Sequence, residues 1–405
     1  MYAFKPHVFT EHSPISIAKP EGRLISSIRC DDKNLYTYNG IILTSSGRIN
    51  SRDLWVYNLA GQQWRSMRNE HFLPCTHELI IGTIYESNYL VICTIQVPFN
   101  DEQSSQKCLL HICDLNTESV VVQETSGQIP DSLYPRNLIR HGKYYYTVGI
   151  TRNNEGFSDV YKLNTENNVW EIVYICRGLD ANEPYRRSGH TLVYSNNMIY
   201  IFGGGRDDDP VLDAYCLKEI WAFDLEKCCW KKKDTHGDEN HTPQYPSNRE
   251  GFGITSYTDP DSGEINVIIS GGTGFDYEYC DEDGWQGYYL NNMVVFNDVW
   301  RLNLTSLKWT CLERFGTVLP SHVEDHSMTV SPAGKLFTFG GFIFGNDMRH
   351  GTCPSTLHST WLRIPNLTDM CWEAVFHYYP DLKSMTDKEI ISLGIPPKLL
   401  KSRIN

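Results

Sequence analysis

Pro184-Tyr-Arg-Arg-Ser-Gly-His190, then Thr191-Leu-Val-Tyr194, a turn at Asn196-Asn197, then Met198-Ile-Tyr-Ile-Phe-Gly203-Gly204, and after a polar insertion Glu219-Ile-Trp-Ala-Phe-Asp224-Leu with Trp230: this stretch decides the fold. Two short apolar runs flank an Asn-Asn turn. The second ends in paired glycines. A third run follows the insertion and a fourth opens with tryptophan. Runs of this length, bounded by turn residues and rich in β-branched and aromatic side chains, read as four successive strands. The Gly-Gly pair suits a sharp turn with little side-chain room.

The unit recurs along the chain, as self-similar periods do in repeat architectures. Downstream, Pro246 leads to Ile268-Ile-Ser-Gly271-Gly272, Asn297-Asp-Val-Trp300 and Trp309. Pro320 leads to Phe337-Thr-Phe-Gly340-Gly341 and Ser359-Thr-Trp361. Upstream, Pro135 precedes Tyr144–Gly149, Asp159-Val-Tyr161 and Trp170. Cys75 precedes Tyr89-Leu-Val-Ile and Leu109–Asp114, with Val120 where tryptophan is expected. Arg23 opens a unit with Leu35–Gly40, Asp53-Leu-Trp55 and Trp64.

This pattern resembles the kelch repeat, one blade of a β-propeller. The implied fold is all-β: a six-bladed kelch β-propeller over residues 1–365, with a short C-terminal α-helical tail over 366–405. The sixth unit lacks its fourth strand. The run Tyr2–Phe9 is the candidate to supply it and close the ring, which removes exposed sheet edges. Tryptophans and tyrosines are read as filling between blades.

In the tail, Leu367, Cys371 and Val375 recur every four residues after Asn366, a good N-cap, and Pro380 stops the helix. Thr386-Asp-Lys-Glu389 is a capping box, and Gly394 suits the helix end. Leu-x-x-x-Cys-x-x-x-Val, followed by Ile395-Pro396-x-x-Leu399, resembles the elongin C box and cullin-2 box of Kelch-domain-containing substrate receptors of cullin-2 ubiquitin ligases. The resemblance implies that Leu367, Cys371 and Val375 contact elongin C. It implies that Ile395, Pro396 and Leu399 contact the cullin. The partners implied are elongin B, elongin C, cullin-2 and a RING-box protein.

The 405 residues carry a net charge of −13, which argues against nucleic acid or an anionic membrane as main partner. No apolar run reaches the roughly 18 residues of a membrane span. The opening Met1-Tyr-Ala-Phe-Lys-Pro lacks a signal core. The 13 cysteines show no metal-type spacing and read as reduced thiols, so the expected compartment is cytoplasm or nucleus. No Ser-His-Asp order, phosphate-binding loop or His-x-x-x-His motif stands out, so neither catalysis nor a cofactor or metal is expected.

In an up-and-down blade, the loop after Gly-Gly and the blade-opening segment emerge on one face, together with the long insertions. Arg136, Arg187 and Arg249 stand at equivalent blade-opening places, and Arg206 follows a Gly-Gly pair. Guanidinium groups bind carboxylates bidentately. The resembling receptors capture extreme C-termini of proteins, so these four arginines are expected to clamp a terminal carboxylate. Tyr185, His190 and Trp285 are candidates for the pocket wall. The competing use of each arginine is a structural one, bonding neighbouring carbonyls or acids. The competing reading of the whole is a kelch scaffold for signalling or cytoskeletal proteins, in which Leu367, Cys371 and Leu399 are buried against the propeller.

Overall fold

A computed structural model of the chain describes all residues except 1–3, 13–17, 68–77, 97–106, 131–137, 150–157, 178–181, 185–189, 204–216, 280–287, 346–350, 384, 398–399 and 401–405. The described strands build six blades of four antiparallel strands, and blades 2 and 3 are joined into one eight-stranded sheet where Val169 and Trp170 pair in parallel with Ser126 and Gly127. Blade 1 runs from Ser27–Cys30 through Asn34–Thr44 and Gly47–Asn58 to Gln63–Ser66. Blade 2 is Glu78–Glu86, Tyr89–Gln96, Lys107–Asp114 and Ser119–Gly127. Blade 3 is Ile139–His141, Tyr144–Gly149, Asp159–Asn164 and Val169–Tyr174. Blade 4 is Thr191–Ser195, Met198–Phe202, Glu219–Asp224 and Cys229–Asp234. Blade 5 is Gly253–Thr258, Ile265–Ser270, Val299–Asn303 and Lys308–Cys311. Blade 6 is Ser327–Val330, Lys335–Phe339 and Leu357–Trp361, completed by Thr10–His12 from the start of the chain.

That completing strand lies just past the run Tyr2–Phe9 in which the sequence places it. Thr10, Glu11 and His12 pair with Ser359, His358 and Leu357. Phe9 packs instead against the apolar cluster between blades 5 and 6. The polar Thr-Glu-His triplet suits an outermost strand, where one edge and one face meet water.

The core is divided into sectors, one between each pair of neighbouring blades. Tyr38, Leu54 and Met67 of blade 1 meet Leu90 and Ile92 of blade 2. Val91 and Cys93 meet Tyr145 and Trp170 between blades 2 and 3. Val148 and Val160 meet Trp221 and Trp230 between blades 3 and 4. Phe202 and Ile220 meet Trp300 and Trp309 between blades 4 and 5. Ile268 and Leu312 meet Met328 and Leu336 between blades 5 and 6. Phe337 and Phe339 meet Leu35 and Tyr57 where blade 6 returns to blade 1. Each such side chain, fully buried, stabilises by about 1.5–3 kcal/mol. The outer-strand tryptophans reach into the preceding blade: Trp309 Nε1 donates to Leu217 O (3.1 Å) and Thr235 Oγ1 (3.1 Å) of blade 4. Val120 pairs with Cys113 just as Trp170 pairs with Leu163, so it occupies the tryptophan position of blade 2.

The tail folds as a small helical cluster. Helix α1 spans Leu367–Tyr378, and Asn366 Oδ1 accepts the Asp369 amide (2.9 Å). Helix α2 spans Asp387–Ser392 behind the Thr386–Glu389 capping box. Leu382, Ile390 and Leu400 form the cluster's own core, flanked by Trp372, Val375, Phe376, Met385 and Ile395. Glu373 fastens α1 to blade 6, where its Oε1 accepts Lys335 Nζ (2.7 Å) and Trp361 Nε1 (2.7 Å).

Candidate functional site

Among the described residues, a short ladder on one face of the ring recurs in three blades. The blade-opening residue pairs with the residue that follows the glycines: Leu24 with Ile41, Glu250 with Thr273, Glu324 with Phe342. The ladder bonds are 2.8–2.9 Å between Glu250 and Thr273. This pairing places the opening segments and the loops after the second strands side by side. It also explains the glycines. A Cβ on Gly340 would stand 2.2 Å from Arg23 O, and one on Gly271 2.5 Å from Val323 O, so each pair is wedged against the next blade's opening segment.

Beneath that ladder sits an ion pair formed by Arg249, one of the arginines expected to clamp a carboxylate. Arg249 is fully buried. Its guanidinium grips Asp298 with both terminal nitrogens, the NH2 to Oδ2 bond being 2.9 Å. Its Nε donates to Ser247 O (3.0 Å) and NH1 to Gly271 O (3.2 Å), while Phe296 covers its face at 3.9 Å. Trp300 Nε1 donates to the same Asp298 Oδ2 (2.7 Å). Blade 1 repeats the arrangement: buried Arg23 grips Asp53, which also takes Trp55 Nε1 (2.6 Å). Burial works to raise the Asp53 carboxyl, and bonds from Arg23, Ser51 and Trp55 overcome it and hold it below the ordinary carboxylate value. Arg249 is therefore an internal brace rather than an exposed clamp. Arg23 is its counterpart, which the sequence does not single out; the shared signal is an Asp-x-Trp at the third strand of the same blade, Asp53-Leu-Trp55 and Asp298-Val-Trp300.

Arg136, Arg187, Arg206, Tyr185 and Trp285 lie outside the described residues. His190 is buried and directly precedes the inner strand of blade 4. Blade 4 departs from the brace pattern: Glu219 stands two residues before Trp221, and its carboxylate takes Lys232 Nζ at 2.6 Å.

The ring's axis holds a cavity of about 480 Å³ walled by inner strands of blades 1, 2, 4, 5 and 6, and Asn39, Ile41 and Asp325 bring it out on the ladder face. A second cavity of about 640 Å³ shares Ser27, Ile28 and Thr83 with the first and opens at the other end. The walls are mainly hydroxyl and apolar, a lining suited to an uncharged extended segment. His326 is sunk in the wall, with Nε2 2.8 Å from Ser270 Oγ, and burial pushes its pKa down to about 4, so it is neutral at pH 7. The mouth between blades 5 and 6 is acidic. Burial raises the Glu324 carboxyl against the Thr273 hydrogen bond, with Asp325 and Glu250 adding to the rise.

The second surface is the outer stripe of α1. Leu367 is 71% exposed and Cys371 is exposed, whereas Val375 is half-buried against the tail core. Ile364, Tyr379 and Leu393 are also more than half exposed. Ile395 packs half-buried on the tail core and Pro396 is exposed, while Leu399 lies outside the described residues. A helix capped by Asn366 that turns a leucine outward presents an apolar strip that water does not favour.

A family model described as the KLHDC2/KLHL20/DRC7 Kelch-repeats domain matches residues 9–204 and 176–377. A Drosophila melanogaster protein, Kelch domain-containing protein 10 homolog, is 27% identical over 98% of this chain and 65% of its own length, so this chain spans just under two thirds of that relative. The Homo sapiens Kelch domain-containing protein 10 is 24% identical over 93% of this chain and 78% of its own. Drosophila host cell factor is 23% identical over 66% of this chain but 17% of its own length.

Proposed function

This chain belongs to the Kelch-repeat family, and on that premise we propose that it is a substrate-recognition subunit of a cullin-2–RING ubiquitin ligase. The observation that carries the proposal is the outward-facing Leu367–Cys371 strip. It sits on a helix fastened to blade 6 through Glu373, and while Val375 and Phe376 of that helix pack on the tail's core, Leu367 and Cys371 do not. Elongin C docks on that strip, with Val375 supporting it from behind. Cullin-2, bound beside elongin B and elongin C, meets the segment Ile395-Pro396 and Leu399, and brings the RING-box protein. The chain performs no ubiquitin chemistry. It raises the effective concentration of a substrate near a loaded conjugating enzyme.

The substrate end is the ladder face. A protein's C-terminal tail enters the axial cavity and its terminal carboxylate meets arginine. With Arg249 committed to Asp298, the clamp falls to Arg206, Arg187 and Arg136. Arg187 is favoured by the loss of the brace aspartate in blade 4, where Glu219 instead serves Lys232. The acidic rim at Glu250, Glu324 and Asp325 selects against acidic tails.

The test is co-purification with elongin B and elongin C, wild type against a Leu367→Asp, Cys371→Asp double variant. A stoichiometric complex lost in the double variant is expected. A soluble monomer that captures neither, with or without the changes, overturns the receptor reading and leaves a kelch scaffold. For the substrate end, peptides with amidated C-termini are expected to bind far more weakly than free ones, and equal binding removes the arginine clamp.

A further inference from the structure

Away from both surfaces, the fold gathers three metal-type donors from distant parts of the chain. His241 lies in the segment between blades 4 and 5, Cys311 ends the outer strand of blade 5, and Glu313 opens the connection to blade 6. One ring nitrogen of His241, the Cys311 sulfur and a Glu313 carboxylate oxygen all lie within 4.8 Å of one another. We propose that His241 Nε2, Cys311 Sγ and Glu313 form a binding site for a zinc-class divalent transition metal that staples the blade 4–5 connection to the outer edge of blade 5.

The orientation of His241 carries the argument. Its Nδ1 is 2.7 Å from Pro243 O. A carbonyl only accepts, so Nδ1 holds the hydrogen and the neutral ring turns its lone pair outward on Nε2. That lone pair faces Glu313 Oε2 at 3.5 Å. Two acceptors facing each other repel unless a cation lies between them or Nε2 also takes a proton. An imidazole whose far N–H is held by a backbone carbonyl is the common second-shell arrangement of a metal ligand. Trp300, edge-on to the ring at 5.2 Å, fixes its plane.

The donors are also held in place. Asp238, almost fully buried, accepts the Asn240 amide (3.0 Å) and the Cys311 amide (3.0 Å), and Arg314 NH1 reaches it at 3.3 Å. One carboxylate thus ties the His241 loop to the Cys311 strand. Imidazole, thiolate and carboxylate together are a borderline set that zinc takes and that magnesium or calcium refuses. Zinc holds such atoms at about 2.0–2.3 Å, so binding draws them together by about 1 Å, and exposed Glu313 has the freedom to move. A water fills the fourth position. Seventy residues separate His241 from Cys311, which is why spacing along the sequence gives no hint of the set.

The test uses the full chain freed of metal by a chelator and dialysis. Zinc titration against a chromophoric chelator is expected to show one tight site, and cobalt substitution a thiolate-to-metal charge-transfer band. Both are expected to vanish in His241→Gln and in Cys311→Ser, and to persist in a Cys228→Ser, Cys229→Ser variant that removes an exposed and a half-exposed thiol of blade 4. Asp238→Asn, a positioning change, is expected to weaken binding about 10–100-fold without removing the band. His241→Gln keeps the test sharp should Cys311→Ser unfold the blade. Absence of a tight site in the wild type, or a band that survives His241→Gln, overturns the proposal; the former leaves an imidazolium–Glu313 ion pair in its place.

Discussion

The carboxylate of Asp298 receives both ends of the Arg249 guanidinium and the indole N–H of Trp300. It neutralises a cation that has no exposed surface. Asp298→Ala leaves that charge buried without its partner, and such losses cost about 3–5 kcal/mol. We expect the urea midpoint to fall accordingly. Replacing both members, Arg249→Met with Asp298→Leu, is expected to cost less than Asp298→Ala alone, because it leaves no orphaned charge. A double variant as unstable as the single would refute the brace. The blade-opening place of Arg249 was legible in the sequence, whereas the use made of it was not. Its partner lies 49 residues on, and only the strand register brings the two together. The Asp-x-Trp that follows each braced arginine is a local sign that separates a brace from a free guanidinium. Blade 4, with Glu219 in that place, lacks the sign.

The blades were largely legible as elements, because each carries its own turn residues and its own apolar runs. Even Val120 could be placed at a tryptophan position from its distance to Asp114. Where glycines are missing, the second strand runs on past a bulge: the register shifts between Tyr38 and Gly40, and the strands continue to Thr44 and Gly47. No residue pattern announced that extension. The docking of α1 was equally hidden. In blades 1 and 5 the indole of the third-strand tryptophan finds an aspartate two residues back; in blade 6 the register puts His358 at that tryptophan position, and Trp361, at the far end of the strand opposite Lys335, turns to Glu373 of the tail. Lys335 joins the same oxygen at 2.7 Å. A charge-assisted bond of this kind contributes about 1.5–3 kcal/mol. Glu373→Ala should therefore raise amide exchange across Leu367–Tyr378 by about 10–100-fold while leaving the blade strands protected. Unchanged exchange would mean that the tail's own core, Leu382, Ile390 and Leu400, holds α1 by itself.

At the scale of the whole ring, six sectors of core are in series, and each blade is stabilised only by its two neighbours. Such a ring is cooperative only while it is closed. Closure rests on three residues: Thr10, Glu11 and His12 complete blade 6, and His12 also spans the seam. Its Nε2 is 2.7 Å from Ser359 Oγ in blade 6, its Nδ1 is 3.2 Å from Tyr57 Oη in blade 1, and its ring lies edge-on to Tyr57. Deleting residues 1–12 removes that strap and bares the edge of Leu357–Trp361, a row of unpaired backbone groups ready to recruit another chain. Deleting residues 1–8 removes sequence of similar length yet keeps the strap. We expect the shorter deletion to leave the denaturation midpoint near wild type. The longer one should lower it and produce concentration-dependent self-association in gel filtration. If both deletions behave alike, the ring is held by its sector cores alone, and the seam between Phe337, Phe339, Leu35 and Tyr57 suffices to keep blade 6 against blade 1.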